Sequence, residues 1–399
     1  MRPGNIDPQL KNSINQLYNW VLKNEYCGWD IYDGLNSSLT QKITNPYLKI
    51  LLLQLNKYSP MNIRKLLKVK KGIDLKGMAL FAQSYVTLYN LTGEDKYLVE
   101  MKKAIRFIKE KTLQEKYEYD CWASHYYPYI TLGKSTLSRD VPDIIGTGQS
   151  IIALIKSYNI TKDSVEKDMA ISAAEFMVED LFQNEQYLPF FAYSKTDDKP
   201  KHITLNASAQ AMEALCAVLS VEGDTKYQSV CEKAAQTLIE TQNDDGSWDY
   251  SVYKDGTKKR TQLDFHQGYV IDGLLAFVPY SNNKADLMEC LKKASDYYQN
   301  VQFRKDGRSY FRYPVPYPID IHNQAQGIIT FSKLSELDND YAAFAKQIIC
   351  WTINNMQDDS GYFYYQTWPL ITNKIPHMRW GQAWMMLAMS TYLEKKVQR

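Results

Sequence analysis

Gly77-Met78-Ala79-Leu80-Phe81-Ala82-Gln83-Ser84-Tyr85-Val86-Thr87-Leu88-Tyr89-Asn90-Leu91 is apolar on nearly every side of a helical wheel. A helix that is apolar all round is buried all round. The turn Thr92-Gly93-Glu94-Asp95 follows, with Gly93 suited to cap one helix and Asp95 to open the next. Lys96–Lys111 then sets Leu98, Met101, Ala104, Ile105, Phe107 and Ile108 against Glu100, Lys102, Lys103, Arg106 and Lys109. That alternation describes an amphipathic helix with one wet face.

The pairing of an inner helix with an outer one recurs along the chain. Ile144–Tyr158 precedes Val165–Phe182, and Ala207–Val221 precedes Gln228–Thr241. Gln267–Val278 pairs with Lys284–Val301, and Asn323–Leu334 pairs with Tyr341–Met356. A sixth inner helix, Trp380–Leu393, ends the chain without a partner, while the amphipathic Leu10–Leu22 begins it without one. The expected architecture is therefore all-α: an (α/α)6 toroid spanning 1–399 as one domain, its N-terminal helix closing the ring against the C-terminal helix. Segment 37–75, with a helix near Leu48–Leu55, is read as an extra part of the rim.

Short inner-to-outer turns would lie at one end and long outer-to-inner connections at the other. The long connections hold the aromatic clusters Glu25–Gly34, Tyr187–Tyr193, Asp245–Tyr250, Gly307–Tyr313 and Gly361–Tyr365. Asp-Gly turns before aromatic runs predict short β-hairpins on that rim.

Composition narrows the class. With 45% apolar and 23% charged residues, the chain has material for a large core. A net charge of +2 argues against a duplex nucleic acid partner. Lys65, Lys68, Lys70 and Lys71, within Arg64–Lys71, read as a solvated face. The N-terminus lacks the apolar core of a signal peptide, and no run of about 18 apolar residues could span a bilayer. The six cysteines are dispersed without C-x-x-C spacing, which predicts free thiols, a cytoplasmic protein and no zinc site. No metal or other cofactor is expected, and the oligomeric state is left open.

All five histidines (His125, His202, His266, His322 and His377) lie in the loops that lead into inner helices or at their first residues. Asp264-Phe265-His266 and Asp320-Ile321-His322 share one spacing. A carboxylate beside an imidazole raises its pKa and fixes its tautomer, which suits a general acid or base. Helix capping by Asp would give the same spacing a purely structural role. Arg379 stands where the helix dipole disfavours a cation, so a ligand carboxylate or a protein acid must hold it. Asp143 and Asn206 read as N-caps facing the mouth. Asp33, Trp122, Trp380 and His377 complete the expected binding surface. Acids, imidazoles, an arginine and flat aromatic faces favour a carbohydrate ligand.

The loop Gln242-Asn243-Asp244-Asp245-Gly246-Ser247-Trp248 looks like the Q-x-x-D-G-S-W repeat of terpene cyclases, with Gln357–Phe363 as its weaker counterpart. Such a repeat packs loops between outer helices, and the acidic D-x-D-D proton donor of a cyclase is missing. Tyr32-Asp33-Gly34-Leu35-Asn36-Ser37, Pro142-Asp143-Ile144, Asp264-Phe265-His266, Pro318-Ile319-Asp320-Ile321-His322 and Met378–Trp384 together resemble a poorly characterised prokaryotic (α/α)6-toroid family. Its genes commonly accompany glycosyltransferases in surface-polysaccharide clusters. Some members bear the label delta-aminolevulinic acid dehydratase. That enzyme resembles a β/α barrel with paired Schiff-base lysines, whereas this chain reads as helical. More distantly, the layout is similar to the helical domains of glucuronyl C5-epimerases, polysaccharide lyases and unsaturated-uronyl hydrolases.

The expectation is thus a carbohydrate-active enzyme acting on an acidic, uronate-containing glycan or precursor in polysaccharide biosynthesis or modification. In an epimerase or lyase, Arg379 and Asn206 would neutralise the uronate carboxylate. His266 or His322, each oriented by its aspartate, would take the C5 proton. In a glycoside hydrolase, two of Asp33, Asp143, Asp264 and Asp320 would act as acid and base. A helical toroid could also serve as a non-catalytic glycan-binding scaffold of polysaccharide assembly, or as an isoprenoid cyclase.

Overall fold

The structure, a computed structural model, describes residues 7–130, 136–137, 139–195, 202–254 and 259–397. In chain order its helices are α1 (Pro8–Lys23), α2 (Pro46–Tyr58), α3 (Leu75–Thr92), α4 (Asp95–Glu110), α5 (Ile144–Thr161), α6 (Ser164–Glu175), α7 (Leu205–Leu219), α8 (Thr225–Glu240), α9 (His266–Phe277), α10 (Lys284–Asn300), α11 (Ile321–Leu334), α12 (Asp340–Met356) and α13 (Trp384–Val397). Wider π-helical turns extend α6 through Phe176–Leu181 and lead into α13 through Met378–Ala383.

Helices α3, α5, α7, α9, α11 and α13 form the inner ring. Each packs on the next, and α13 packs back on α3. Hydrophobicity sorts the layers. Helix α3 is buried without a break from Leu75 to Leu88, whereas α4 buries only the stripe Tyr97, Met101, Ala104, Ile105 and Ile108. The twelfth position belongs to α1. It packs on α13, its Gln9 amide donates to Asn354 Oδ1 of α12 (2.6 Å), and Tyr18 meets Tyr97 of α4 edge-on. Gly93 adopts a left-handed φ of 68° as the expected cap of α3, but the cap of α4 is Glu94 and Asp95 is its first helical residue.

Among the described residues, the long connections carry four small antiparallel sheets: β1 (Tyr129–Ile130) with β2 (Thr136–Leu137), β3 (Phe182–Gln183) with β4 (Phe190–Phe191), β5 (His202–Thr204) with β6 (Ser251–Tyr253) and β7 (Lys259–Arg260), and β8 (Ile319–Asp320) with β9 (Gln366–Thr367) and β10 (Thr372–Asn373). The two three-stranded sheets join loops of successive repeats, pairing Thr204 with Ser251 and Asp320 with Gln366. Glu25–Gly34 and Gly307–Tyr313 form isolated bridges rather than hairpins. In the first, left-handed Glu25 and Tyr26 interrupt the extended run.

The glycine-turn loops prove to be scaffolding. Gly246 (φ 90°) and Gly361 (φ 106°) press on the next outer helix so closely that a Cβ would stand 2.3 Å from Lys293 O and 2.4 Å from Gln16 O. Gln242 bridges Gly246 O and Cys290 O, and Gln357 does the same for Gly361 O and Ser13 O. The Trp248 indole donates to Leu238 O (2.7 Å), so the ring is wedged against its own outer helix.

Candidate functional site

Where α9 begins, Asp264 accepts the backbone N–H of His266 (3.2 Å) and lies 2.5 Å from His266 Nδ1. Gln262 donates to its other oxygen (2.8 Å), and the Arg312 guanidinium stands 3.6 Å away. Burial opposes a charge on Asp264, yet the imidazole beside it outweighs burial and holds the carboxyl below its ordinary value. A carboxylate at this distance accepts the hydrogen bond from Nδ1–H and leaves Nε2 as the acceptor nitrogen. The His266 side chain is 16% exposed, so part of the ring lies where a ligand can reach it. Phe265 stacks on the imidazole at 4.2 Å, Tyr250 meets it edge-on at 4.8 Å, and the Arg260 guanidinium lies over Tyr250.

The second Asp-x-His behaves differently. Asp320 accepts from His322 N (2.9 Å), Trp380 Nε1 (3.0 Å) and Gln366 Nε2 (2.6 Å), and it makes no bond to the His322 imidazole. It caps α11 and fixes Trp380, which corrects the expectation that it orients His322. The His322 ring instead has Tyr269 OH at Nε2 (2.6 Å) and Trp380 O near Nδ1 (3.4 Å), and it stacks on Trp380 at 4.2 Å. Burial, with Lys76 and Arg379 nearby, keeps His322 well below the usual histidine value and therefore neutral. Tyr269, pushed far up by burial, keeps its proton and donates it.

Arg379 is held by a protein acid. Asp30 grips it through Nε (2.9 Å) and NH2 (2.6 Å), with both side chains buried. Burial acts against the Asp30 charge, but Arg379 prevails and holds the carboxyl low. Tyr127 donates to the same carboxylate (2.6 Å), and His125 stacks on Tyr127 while lying 3.1 Å from Asp74. Arg379 is thus committed to Asp30, so its expected role as clamp for a ligand carboxylate is corrected. Lys76 lies in the same charge field with its ammonium over Trp384 (5.1 Å). Burial, then Arg379, pushes it down to about 7.

Phe265 joins these groups, touching His266, His322, Tyr269 and Trp380. Asp264, His266, Asp320, His322, Trp380 and Arg379 therefore share one continuous cluster. Other expected residues sit elsewhere in the wall. Asp33 is fully buried against Arg64 (2.9 Å) and Asn56 (3.0 Å), and burial raises it to about 6 despite that arginine. Asp143 caps α5 as expected, and Ser124 takes up both of its oxygens. Trp122 is fully buried with its indole on Ile108 O, as Trp248 is on Leu238 O, so it belongs to the scaffold rather than to a binding face. His377 is buried edge-on against Tyr365, with no hydrogen bond at either ring nitrogen. Asn206 is the second residue of α7 and not its cap, and its side-chain oxygen is buried without a partner.

Sequence reasoning places Asp30 on the rim beside Asp33 but not its role as partner of Arg379, and it missed the Asp74–His125 contact, Lys76, Tyr250 and Tyr269. Asp74 had a signal: it precedes the first inner helix as Asp143 and Asp320 precede theirs. Among the described residues, no group of three or more His, Cys, Asp and Glu is placed to hold a metal ion.

No family model matches the chain, and no curated protein matches it in sequence. Solved structures do match. Cellobiose 2-epimerase from Bacillus thermoamylovorans superposes with a TM-score of 0.69 at 13% identity, over 97% of this chain and 99% of that one. D-mannose isomerase gives 0.69 at 12% identity over 100% of both chains. Unsaturated glucuronyl hydrolase from Bacillus sp. GL1 gives 0.62 at 14% identity, over 96% of this chain and 95% of that one. At such identities the likeness establishes the (α/α)6 toroid.

Proposed function

We propose that this protein is a carbohydrate-active enzyme that moves a carbon-bound proton, as an epimerase or isomerase does, with His266 as the base. The observation that carries this reading is the 2.5 Å Asp264–His266 contact at a partly exposed aromatic face. Tyr250 and Phe265 offer flat surfaces for the apolar side of a sugar ring, whereas the Trp380 ring is buried against His322 and Arg379. His266 Nε2 takes the proton from a carbon next to a carbonyl or carboxylate, and the electron pair moves onto that oxygen. Asp264 stabilises the imidazolium that forms, and a base so positioned contributes about 10²–10⁴ in rate. Lys76, poised near neutrality, faces the developing oxyanion. Return of a proton to the other side of the carbon gives the epimer, and the hydrogen-bonded pair Tyr269–His322 is the second proton carrier. Likeness to a cellobiose 2-epimerase and a D-mannose isomerase supports the reaction class.

The proposed substrate is an acidic glycan or precursor of a surface polysaccharide. With Arg379 committed to Asp30, the cations left for its carboxylate are Arg260 and Arg312, both beside the Asp264–His266 pair. Hydrolysis is less well supported, because Asp33, Asp143, Asp264 and Asp320 each accept structural hydrogen bonds.

The test is incubation with free aldoses, disaccharides and uronate oligosaccharides in heavy water. Deuterium entering a substrate carbon without cleavage supports the proposal. A new ultraviolet absorbance from an unsaturated sugar directs the same proton abstraction to a lyase. Cleavage without deuterium at carbon, or tight binding without turnover, overturns it.

A further inference from the structure

Between Asp33 and Asp74 the chain has no acidic residue but eight lysines and arginines, in a protein whose net charge is only +2. Arg64 is buried in its pair with Asp33, and Lys57 reaches inward to Tyr32 OH. The others are half-buried Lys49 and exposed Lys42, Lys65, Lys68, Lys70 and Lys71. Among the described residues, none of these six has a carboxylate partner within ion-pair distance.

The same segment displays an apolar stripe. On α2, Leu51 (52% exposed), Leu55 (51%) and Tyr58 (43%) recur at helical spacing and face outward. Tyr58 and Pro60 share a shallow groove with Trp368, Pro369, Leu370 and Ile371. Those last four residues are the tip of the β9–β10 hairpin, closed by Trp368 N–H donating to Ile371 O (2.8 Å). Leu370 is 95% exposed and Ile371 58%. Between Gly361 and Met378 this hairpin has no acidic residue either, and Lys374 is exposed.

We propose that α2 and the β9–β10 tip form a docking face for an anionic lipid surface. Leu370, Ile371 and Trp368 enter the headgroup region, α2 lies flat, and the lysines meet the lipid phosphates. An apolar stripe carried by segments whose only charges are cations is complementary to such a surface, which couples partial burial of apolar side chains to attraction by negative headgroups. No helix among the described residues is long and apolar enough to cross a membrane, so the attachment is peripheral. The inward side of α2 holds Asp33 through Asn56 and Tyr32 through Lys57, and Tyr32 meets Trp380 at 6.4 Å. Docking would therefore lie one helix away from the candidate site, where a lipid-borne sugar could be presented.

The test is co-flotation of the full chain with vesicles of phosphatidylcholine alone or with phosphatidylglycerol added. Binding is expected only to the mixed vesicles, and it should fall steeply with salt. Leu370→Asp with Ile371→Asp should weaken it at least about tenfold, since each change removes an apolar insertion worth roughly one decade or more. Lys65→Glu with Lys68→Glu should do likewise, whereas Leu337→Asp, on another exposed leucine, should not. Brominated acyl chains should quench fluorescence in the parent chain and markedly less in Trp368→Phe. Equal binding to both vesicle types, or no binding by a folded chain, overturns the proposal. A dimer in solution that Leu370→Asp dissociates also overturns it and assigns the face to a second copy.

Discussion

Asn in place of Asp264 and Asn in place of Asp320 should give opposite phenotypes, although the two aspartates share a sequence motif. Asp264 Oδ1 serves both the His266 backbone N–H and Nδ1. An amide keeps the geometry but removes the charge that an imidazolium would need beside it. A charge-assisted hydrogen bond between largely buried partners is worth about 1.5–3 kcal/mol, and replacing the carboxylate behind a catalytic imidazole by an amide can cost up to about 10⁴ in rate. Asp264→Asn should therefore lower kcat by at least about a hundredfold, with KM little changed. Asp320 touches only backbone, indole and amide donors. The Gln366 side-chain oxygen is buried without a partner, so rotating that amide would let it accept from the new Asn. Burial already raises Asp320, so neutralising it relieves a cost. Asp320→Asn should keep kcat within about tenfold and change stability by about 1 kcal/mol or less. Deuterium incorporation followed by NMR measures the rates, and thermal melts monitored by circular dichroism measure the folds. Equal rate losses in both variants, or an Asp264→Asn enzyme of normal kcat, would refute the assignment of His266 as the supported base.

Gln267→Ala should destabilise the fold by about 2–4 kcal/mol in a urea titration, because it strands the buried N–H and C=O of Trp248 that its side chain now pairs. Asp30→Asn should cost about 3–5 kcal/mol, since Arg379 would be left buried without its partner. Asp30 is held below its unfolded value, so its contribution is complete above about pH 4 and is lost as pH falls, and the variant should lose that part of the acid-unfolding curve. Lys76 is pushed down to about 7 from 10.5, so the unfolded chain binds the extra proton between those values and stability rises with pH there. Lys76→Met should flatten that rise in melts run across the window.

The helical ring was legible because burial differs so sharply between layers. Ile144–Tyr158 was expected and Ile144–Thr161 is helical, and Lys284–Val301 closes one residue earlier, at Asn300. The site was legible only in part. Asp-x-His identifies the two places but not the two roles, because the helix starts differ by one residue. Helix α9 begins at His266 itself, two residues after Asp264, whereas α11 begins at Ile321 with Asp320 as its cap. That shift turns the second imidazole away from its aspartate and toward Tyr269. The partner of Arg379 lies 349 residues away, and nothing local in the sequence identifies Asp30 as that partner.

Repetition itself separates scaffold from chemistry in this ring. Gln267, Gln324 and Gln382 accept from Trp248 N, Ser309 N and Phe363 N at 2.7–2.8 Å, one latch copied in three successive repeats. A residue copied in three successive repeats meets the same surroundings each time, so its role is one those repeats share, which is holding a loop to its inner helix. The polar groups without counterparts are different. Among the described residues, only α9 places an imidazole against the aspartate of its own Asp-x-His, only His322 of the two meets a tyrosine hydroxyl, and Lys76 has its ammonium over Trp384. Substituting the three glutamines should therefore lower melting temperature by similar amounts and leave kcat nearly unchanged. Substitutions at His266, His322 and Lys76 should reduce kcat with no shared effect on stability. A glutamine latch whose loss abolished turnover in a fully folded chain would show that this division fails.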